Sequence, residues 1–239
     1  MSKTRSTILF LISASMAGAI LPTSALGHEF QTCQNVGANM GMFSTSTCGT
    51  AGAPKEFEWK QIVAATNFVT VNNARSSEIH SLKVLVKCDE TNLTGKVELM
   101  GNFTGTMQLN NNCSFYERIN GGGWVNPKGC TVTQPISFEV KGELITGGTS
   151  PLFTFGAKGG KLMTQIKTTG VGCSNYNFES ISEGKGQVCS STRLSEGNPN
   201  HYFTCDECQN TELLFNTEAA AFVTPIIIRL EGMPWWRAI

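Results

Sequence analysis

Apolar and polar side chains alternate along residues 102–110, NFTGTMQLN. Phe103, Met107 and Leu109 would share one face of an extended chain, and amide and hydroxyl side chains would share the other. The same period of two recurs in residues 56–60, 82–88 and 136–141, and Gly- and Asn-rich turns separate these segments. The sequence therefore predicts an all-β fold, either an antiparallel sandwich or an open barrel.

The rest of the chain adds few other elements. Residues 212–222 are the best helix candidate, so we expect at most one short helix. Residues 222–230 have the pattern of a closing strand that Pro225 bends or places at an edge. We expect a single β-rich domain over residues 28–239, and two β-subdomains dividing near Gly147 are the alternative.

The first 27 residues have the three parts of a secretory signal peptide. Lys3 and Arg5 form a basic start, an apolar run covers residues 8–21, and Ala25 and Gly27 are small residues at the cleavage site. The run is shorter than the about 20 residues that a spanning helix needs. We therefore expect cleavage, secretion or a cell-surface location, and no integral membrane span in the mature protein.

The composition argues against a nucleic-acid partner. The 18 basic and 18 acidic residues balance, and loss of Lys3 and Arg5 with the leader would leave the mature chain slightly acidic. Such a surface does not attract nucleic acid or anionic membrane by bulk charge. Only 15% of residues are charged, which is typical of a secreted β-protein with hydroxyl- and amide-rich faces.

Cysteine spacing predicts a disulfide-stapled chain. The nine cysteines, all after the leader, are Cys33, Cys48, Cys88, Cys113, Cys130, Cys173, Cys189, Cys205 and Cys208. Similar separations suggest the pairs Cys33–Cys48, Cys113–Cys130 and Cys173–Cys189, with Cys88 bonded to Cys205 or Cys208. Loops of that size stabilise by about 3 kcal/mol each in the chain-entropy model. One cysteine would remain for a free thiol or an intermolecular bridge.

Two metal or redox hypotheses remain open. Cys205 and Cys208 form a C-x-x-C motif, which suits structural disulfides, a redox dithiol, or half of a zinc site near His201. Cleavage after Gly27 would make His28 the N-terminal residue, whose amine and ring can bind copper with His80 or His201 as a further ligand. Against a ligand role, the pattern favours a core position for His80 and an exposed turn for His201.

A family resemblance extends over about two thirds of the mature chain. It rests on the following blocks: Cys33-Gln34-Asn35-Val36 leading through Gly41 to Cys48, Phe57-Glu58-Trp59, residues 84–88 with Thr94-Gly95, the loop from Cys113 to Cys130, and Phe203-Thr204-Cys205. In these blocks the chain resembles a group of uncharacterised exported, cysteine-stapled β-proteins of soil bacteria. It departs from them in Cys173, Cys189, Cys208 and the Trp-rich end. The resemblance implies the fold and export, and it implies no activity.

Sequence motifs of common enzymes are absent. The chain has no G-x-S-x-G, H-E-x-x-H, P-loop or G-x-G-x-x-G motif, and its carboxylates form no evident catalytic pair. We therefore expect a non-catalytic structural or binding module without a cofactor, whose partner could be a cell-surface glycan or a protein. A copper-binding protein or oxidase that uses His28, and a redox or zinc site at Cys205 and Cys208, are the alternatives. The pair Trp235-Trp236 is either a tail packed on the sheet or an exposed binding patch.

Overall fold

The computed structural model describes residues 29–72, 76–119, 122–127, 129–147, 150–193, 199–205, 211–233 and 236–238. These residues form twenty β-strands. The strands are β1 (Phe30–Asn35), β2 (Phe57–Gln61), β3 (Thr66–Asn72), β4 (Ser77–Ser81), β5 (Val84–Cys88), β6 (Glu90–Val97), β7 (Asn102–Asn110), β8 (Ser114–Arg118), β9 (Trp124–Val125), β10 (Thr131–Val132), β11 (Ile136–Thr146), β12 (Leu152–Ala157), β13 (Leu162–Ile166), β14 (Thr168–Thr169), β15 (Tyr176–Ser180), β16 (Gln187–Arg193), β17 (His201–Cys205), β18 (Leu213–Phe215), β19 (Glu218–Leu230) and β20 (Trp236–Ala238). The predicted signal peptide and His28 lie outside the described residues.

Eight antiparallel strands form a closed barrel. Their order is β19-β3-β6-β7-β11-β12-β16-β17, and β17 pairs with β19 to complete the ring. Strand β7 is the segment whose alternation predicted a half-buried strand, and it pairs with β6 and β11 along its whole length. The all-β prediction is confirmed, and the barrel is closed where the sequence suggested an open one. Gly147, the alternative division point, lies between β11 and β12, which are neighbours in this barrel.

A second sheet shares β19 with the barrel. Its order is β13-β15-β18-β19-β4-β5-β8-β9, and it pairs with the first half of β19. A third sheet, β2-β1-β20, combines strands from both ends of the described chain, and β10 pairs with β14. The two halves of β19 therefore belong to two different sheets.

Polar side chains satisfy the backbone where β19 passes between the sheets. Pro225, which has no N–H to donate, lies between the last pair with β4 and the first pair with β3. The buried Gln187 side chain donates to the carbonyl of Phe222 over 2.9 Å and accepts from its N–H over 2.8 Å. The hydroxyls of Ser77, Thr91 and Thr224 form a buried hydrogen-bonded chain beside this point.

Aromatic side chains fill both sides of this junction. On the barrel side of the junction, Phe103 of β7 packs edge-on against Phe153 of β12, with ring centroids 6.0 Å apart. Nearer the second sheet, Phe222 stacks on Phe155 at 5.4 Å and meets Phe138 edge-on at 6.1 Å. These contacts give one continuous apolar core across the shared strand.

The predicted helix at residues 212–222 is wrong. In its place are β18, a turn at Asn216-Thr217 and the start of β19. Asn216 has a φ of 56°, which a helix does not accommodate. The alanines at 219–221 favour helix in isolation, but pairing with β4 and β18 on both sides overrides that preference. The strand predicted for residues 222–230 is confirmed as the rest of β19.

Four disulfides staple the described chain, and their connectivity corrects most of the predicted pairs. Cys33–Cys48 is confirmed. The predicted Cys113–Cys130 and Cys173–Cys189 pairs and the bond from Cys88 to Cys205 or Cys208 are wrong. The actual pairs are Cys88–Cys113, Cys130–Cys173 and Cys189–Cys205. The reason is topological: β6 and β7 fold away into the barrel, so β5 and β8 become neighbours and bring Cys88 beside Cys113.

In the part of the chain that the structure describes, the one helical element is the short 3₁₀ turn Leu99–Gly101. None of the described helical structure has the length and apolarity to cross a membrane.

Candidate binding cleft

An open cleft lies at one end of the second sheet, where β8 and β15 approach each other. Its volume is about 320 Å³, near the lower limit for small-molecule sites. The walls come from the β4–β5 turn, β8, β15 and the β18–β19 turn. Its lining residues are Ser81, Lys83, Val84, Glu117, Arg118, Tyr176, Phe215, Asn216, Thr217 and Glu218.

Tyr176 forms the aromatic wall of this cleft. Its ring packs between Phe115, with centroids 5.0 Å apart, and Phe215, at 5.4 Å. Its hydroxyl donates a hydrogen bond of 2.9 Å to Oε1 of Glu117 on β8. Burial, and then the hydrogen bond to Glu117, raises the pKa of Tyr176 to about 12. The hydroxyl is protonated at neutral pH, as an ordinary tyrosine also is, and its hydrogen bond holds Glu117 in position.

A second carboxylate, Glu218, is held at the opposite side of the cleft. The Lys83 ammonium pairs with its Oε1, and the Ser81 hydroxyl lies 3.4 Å from its Oε2. Ser81 also accepts the backbone N–H groups of Lys83 and Val84 at 3.2 and 3.1 Å. One serine side chain thus shapes the β4–β5 turn and positions the ion pair.

The β18–β19 turn adds an amide to the cleft wall. The N–H of Asn216 donates to the carbonyl of Asn177, and the side-chain oxygen of Asn216 accepts the N–H of Asn177. These two bonds, of 2.7 and 2.8 Å, tie the turn to β15 next to Tyr176. The turn that carries Asn216 and the neighbouring Thr217 is therefore anchored to β15 through Asn216.

An exposed tryptophan stands beside the cleft. Trp124 on β9 is the register partner of Arg118, whose guanidinium carbon lies 5.8 Å from the centre of the indole ring. The Trp124 side chain is 39% exposed, and Leu82 in the β4–β5 turn is 76% exposed. Arg118 lines the cleft itself, so it connects the cleft to this exposed ring.

The arrangement suits binding better than acid–base catalysis. Glu117 accepts a hydrogen bond from a phenol that stays protonated, and Glu218 is neutralised by Lys83. Aromatic surface next to fixed carboxylate, amide and hydroxyl groups is the usual lining of a site for a polar ligand with apolar faces.

The two histidines that the structure describes, His80 and His201, are not brought together by the fold. His28 lies outside the described residues. His80 pairs with Ala221 on β19 and His201 pairs with Ile228, seven residues along the same strand, which separates them by on the order of 20 Å. His80 is only partly buried, and His201 is 4% exposed, so the predicted core position of His80 and exposed turn at His201 are both wrong. The described residues contain no cluster of three or more His, Cys, Asp or Glu that could hold a metal ion.

The C-x-x-C motif is divided between a disulfide and the part of the chain that is not described. Cys205 is bonded to Cys189 across the β16–β17 pair, and Cys208 lies outside the described residues. In this oxidised form Cys205 has no thiolate to offer to a metal or a redox partner.

The C-terminal tryptophan pair is described only in part. Trp236 is 2% exposed and stacks on His201 with ring centroids 3.8 Å apart, which is the packed-tail alternative. Trp236 is therefore not part of an exposed patch. Trp235 lies outside the described residues.

Sequence analysis did not identify Glu117, Trp124, Tyr176 or Glu218 as site residues. They are distant in the sequence, and β8 meets β15 although β18, β19, β4 and β5 lie between these two strands in the order of the second sheet. The Gly-rich segment before Trp124 was the available signal for an exposed aromatic at a turn.

In comparisons with known proteins, no family model, curated protein or solved structure matches this chain.

Proposed function

We propose that this protein is an exported, non-catalytic binding module that acts at or outside the cell surface and holds a carbohydrate in the cleft. The observation that carries the proposal is the combination of Tyr176 and the exposed Trp124 with carboxylates that are already fixed by Tyr176 and Lys83. Sugar rings present apolar C–H faces to aromatic rings and hydroxyls to carboxylates and amides. Prepositioned groups reduce the entropy cost of binding.

The disulfides support export. Four disulfides among eight of the nine cysteines persist in an oxidising compartment and not in a reduced cytosol. An open cleft with anchored side chains also suits a rigid extracellular binder, because its groups need little rearrangement when the ligand arrives.

A glycan array with the purified mature protein, followed by titration calorimetry of any hit, tests the proposal. Trp124→Ala should weaken binding about tenfold, which corresponds to ~1.4 kcal/mol. Trp59→Ala is the matched control, because Trp59 also lies under an arginine, with Arg237 at 4.6 Å, but belongs to the third sheet. Binding of no glycan, or equal losses in the two variants, would reject the cleft as a carbohydrate site.

A further inference from the structure

The third sheet closes one end of the barrel. This lid sheet consists of β1, β2 and β20, and among the described residues its ladders join only these three strands to one another. The Cys33–Cys48 bond joins β1 to the connection between β1 and β2. The other three disulfides join residues outside the lid sheet, so no described disulfide fastens the lid to the barrel.

Two aromatic side chains connect the lid sheet to the barrel interior. Phe30 of β1 stacks on Phe153 of β12 with ring centroids 5.9 Å apart. Trp236 of β20 lies 6.0 Å from Phe30 and stacks on His201 of β17. Both lid residues are buried, and both line a cavity inside the barrel end.

This cavity is small, is lined by buried residues and is almost entirely apolar. Its walls include Phe68, Phe103, Phe153 and Phe203, and its volume is about 20 Å³. A cavity of that size holds about one water molecule, so a larger ligand enters only if Phe30 and Trp236 move out. An eight-stranded barrel is just wide enough either to be filled by side chains or to hold one small ligand. Here part of the filling comes from a separate sheet.

A polar pair lies at this apolar space, and one of its two members lines the cavity. Ser191, the single polar residue that lines the cavity, is fully buried, and its Oγ lies 3.3 Å from Nδ1 of the buried His201. His201 in turn stacks on Trp236. The polar pair therefore lies directly beside the Trp236 side chain.

We propose that the barrel end under the lid sheet is a second binding site, for an amphiphile with a single acyl chain such as a fatty acid. The lid sheet lifts, the acyl chain takes the space of Phe30 and Trp236 among the four phenylalanines, and the carboxylate binds at Ser191 and His201. Apolar walls provide affinity for the chain, and the polar pair orients the head group. This site is separate from the cleft and does not depend on the proposed carbohydrate function.

Titration of the full mature protein with dansyl-labelled undecanoic acid, and displacement of that probe by oleic acid, tests the proposal. Phe30→Ala should raise the affinity for the probe about tenfold, because the open form becomes more populated. Ser191→Ala should weaken binding of the acid about tenfold and leave binding of the corresponding alcohol less affected.

A matched control lies next to Ser191 in the sequence. Ser190 is on the opposite face of β16, where its hydroxyl lies 2.9 Å from that of Thr204, so Ser190→Ala should not change probe binding. If Phe30→Ala does not fold, the difference in probe binding between Ser191→Ala and Ser190→Ala still tests the proposal. Absence of saturable probe binding by the folded wild-type protein, or equal behaviour of the two serine variants, would overturn the proposal.

Discussion

The two halves of β19 face surroundings of opposite character. Its first half belongs to the second sheet and begins at the open cleft, where Glu218 is paired with Lys83. Its second half lines the barrel, where Ile228 and Leu230 face an apolar cavity closed by the lid sheet. Both regions are rich in aromatic rings. Access to water, more than aromatic content, therefore decides whether a region of this fold offers charges or an apolar interior to a ligand.

The largest effect is expected at a buried residue near the junction of the two halves. Phe222 is fully buried and packs on Phe138 and Phe155. Phe222→Ala should lower the free energy of unfolding by about 3–5 kcal/mol, because it removes a large side chain and leaves a cavity. Guanidinium denaturation measures this change, and Val223→Ala, at the next and partly exposed position, should cost much less.

That variant also tests whether the shared strand makes the two regions one cooperative unit. Fluorescence and circular dichroism should follow a single transition in the wild type and in Phe222→Ala. Two separate transitions would show that the barrel and the second sheet unfold independently. A loss of less than about 1 kcal/mol would contradict the expected cost of the cavity.

A smaller difference in stability is expected between loss of the barrel disulfide and loss of the lid disulfide. The Cys189–Cys205 and Cys33–Cys48 bonds span 16 and 15 residues, so chain entropy gives each about 3 kcal/mol. The barrel cysteines are both fully buried, whereas Cys33 is partly exposed. Replacing both barrel cysteines by Ala should therefore destabilise the protein more than the same change in the lid, as thermal denaturation of the two double variants would show. Equal or reversed losses would contradict this order.

The fold class could be predicted from the sequence because the alternation is a local property. Residues 102–110 alternate in the sequence and form β7, with Met107 and Leu109 buried as predicted. Barrel closure and disulfide pairing could not be predicted in this way, because they depend on which distant strands become neighbours. Cys113 is near Cys130 in the sequence, but the departure of β6 and β7 into the barrel places it beside Cys88.

The candidate sites were harder to predict than the fold for the same reason. Glu117 and Tyr176 are 59 residues apart, and their hydrogen bond exists because the second sheet curls. His201 follows a turn-like segment, which favoured exposure, but β17 is a barrel strand and carries the histidine under Trp236. Sequence patterns identify the buried face of one strand and give no information about which other strand covers it.

A modest, pH-dependent contribution to the free energy of unfolding is expected from Tyr176 in the cleft. Because the pKa of Tyr176 is raised to about 12 in the folded protein, its contribution to stability is fully present below pH ~10, where unfolded tyrosine ionises. That contribution should be lost as the pH rises from about 10 to about 12. Tyr176→Phe should lose about 1 kcal/mol at neutral pH through the missing hydrogen bond, and should lack this part of the alkaline decline.

Ultraviolet titration of the tyrosines provides the direct check. The chain has three tyrosines, and the most alkaline ionisation should disappear in Tyr176→Phe. Persistence of that ionisation in the variant would show that it belongs to another tyrosine and would contradict the raised pKa of Tyr176.

The smallest effect on stability is expected for Lys83→Met. The Lys83 side chain is 74% exposed, and surface ion pairs contribute between about 0 and 1 kcal/mol, so the free energy of unfolding should hardly change. Lys141→Met is the matched control, since Lys141 forms a similar surface pair with Glu183 at 3.2 Å outside the cleft. The two variants should be alike in denaturation and unlike in ligand binding. Loss of Lys83 removes the partner that holds Glu218 toward the cleft, and binding of a glycan identified on the array should weaken only there. If both variants bind that glycan as the wild type does, binding does not require Lys83 to hold Glu218 in place. The first half of β19 then contributes to the shape of the cleft, and its ion pair does not contribute to affinity.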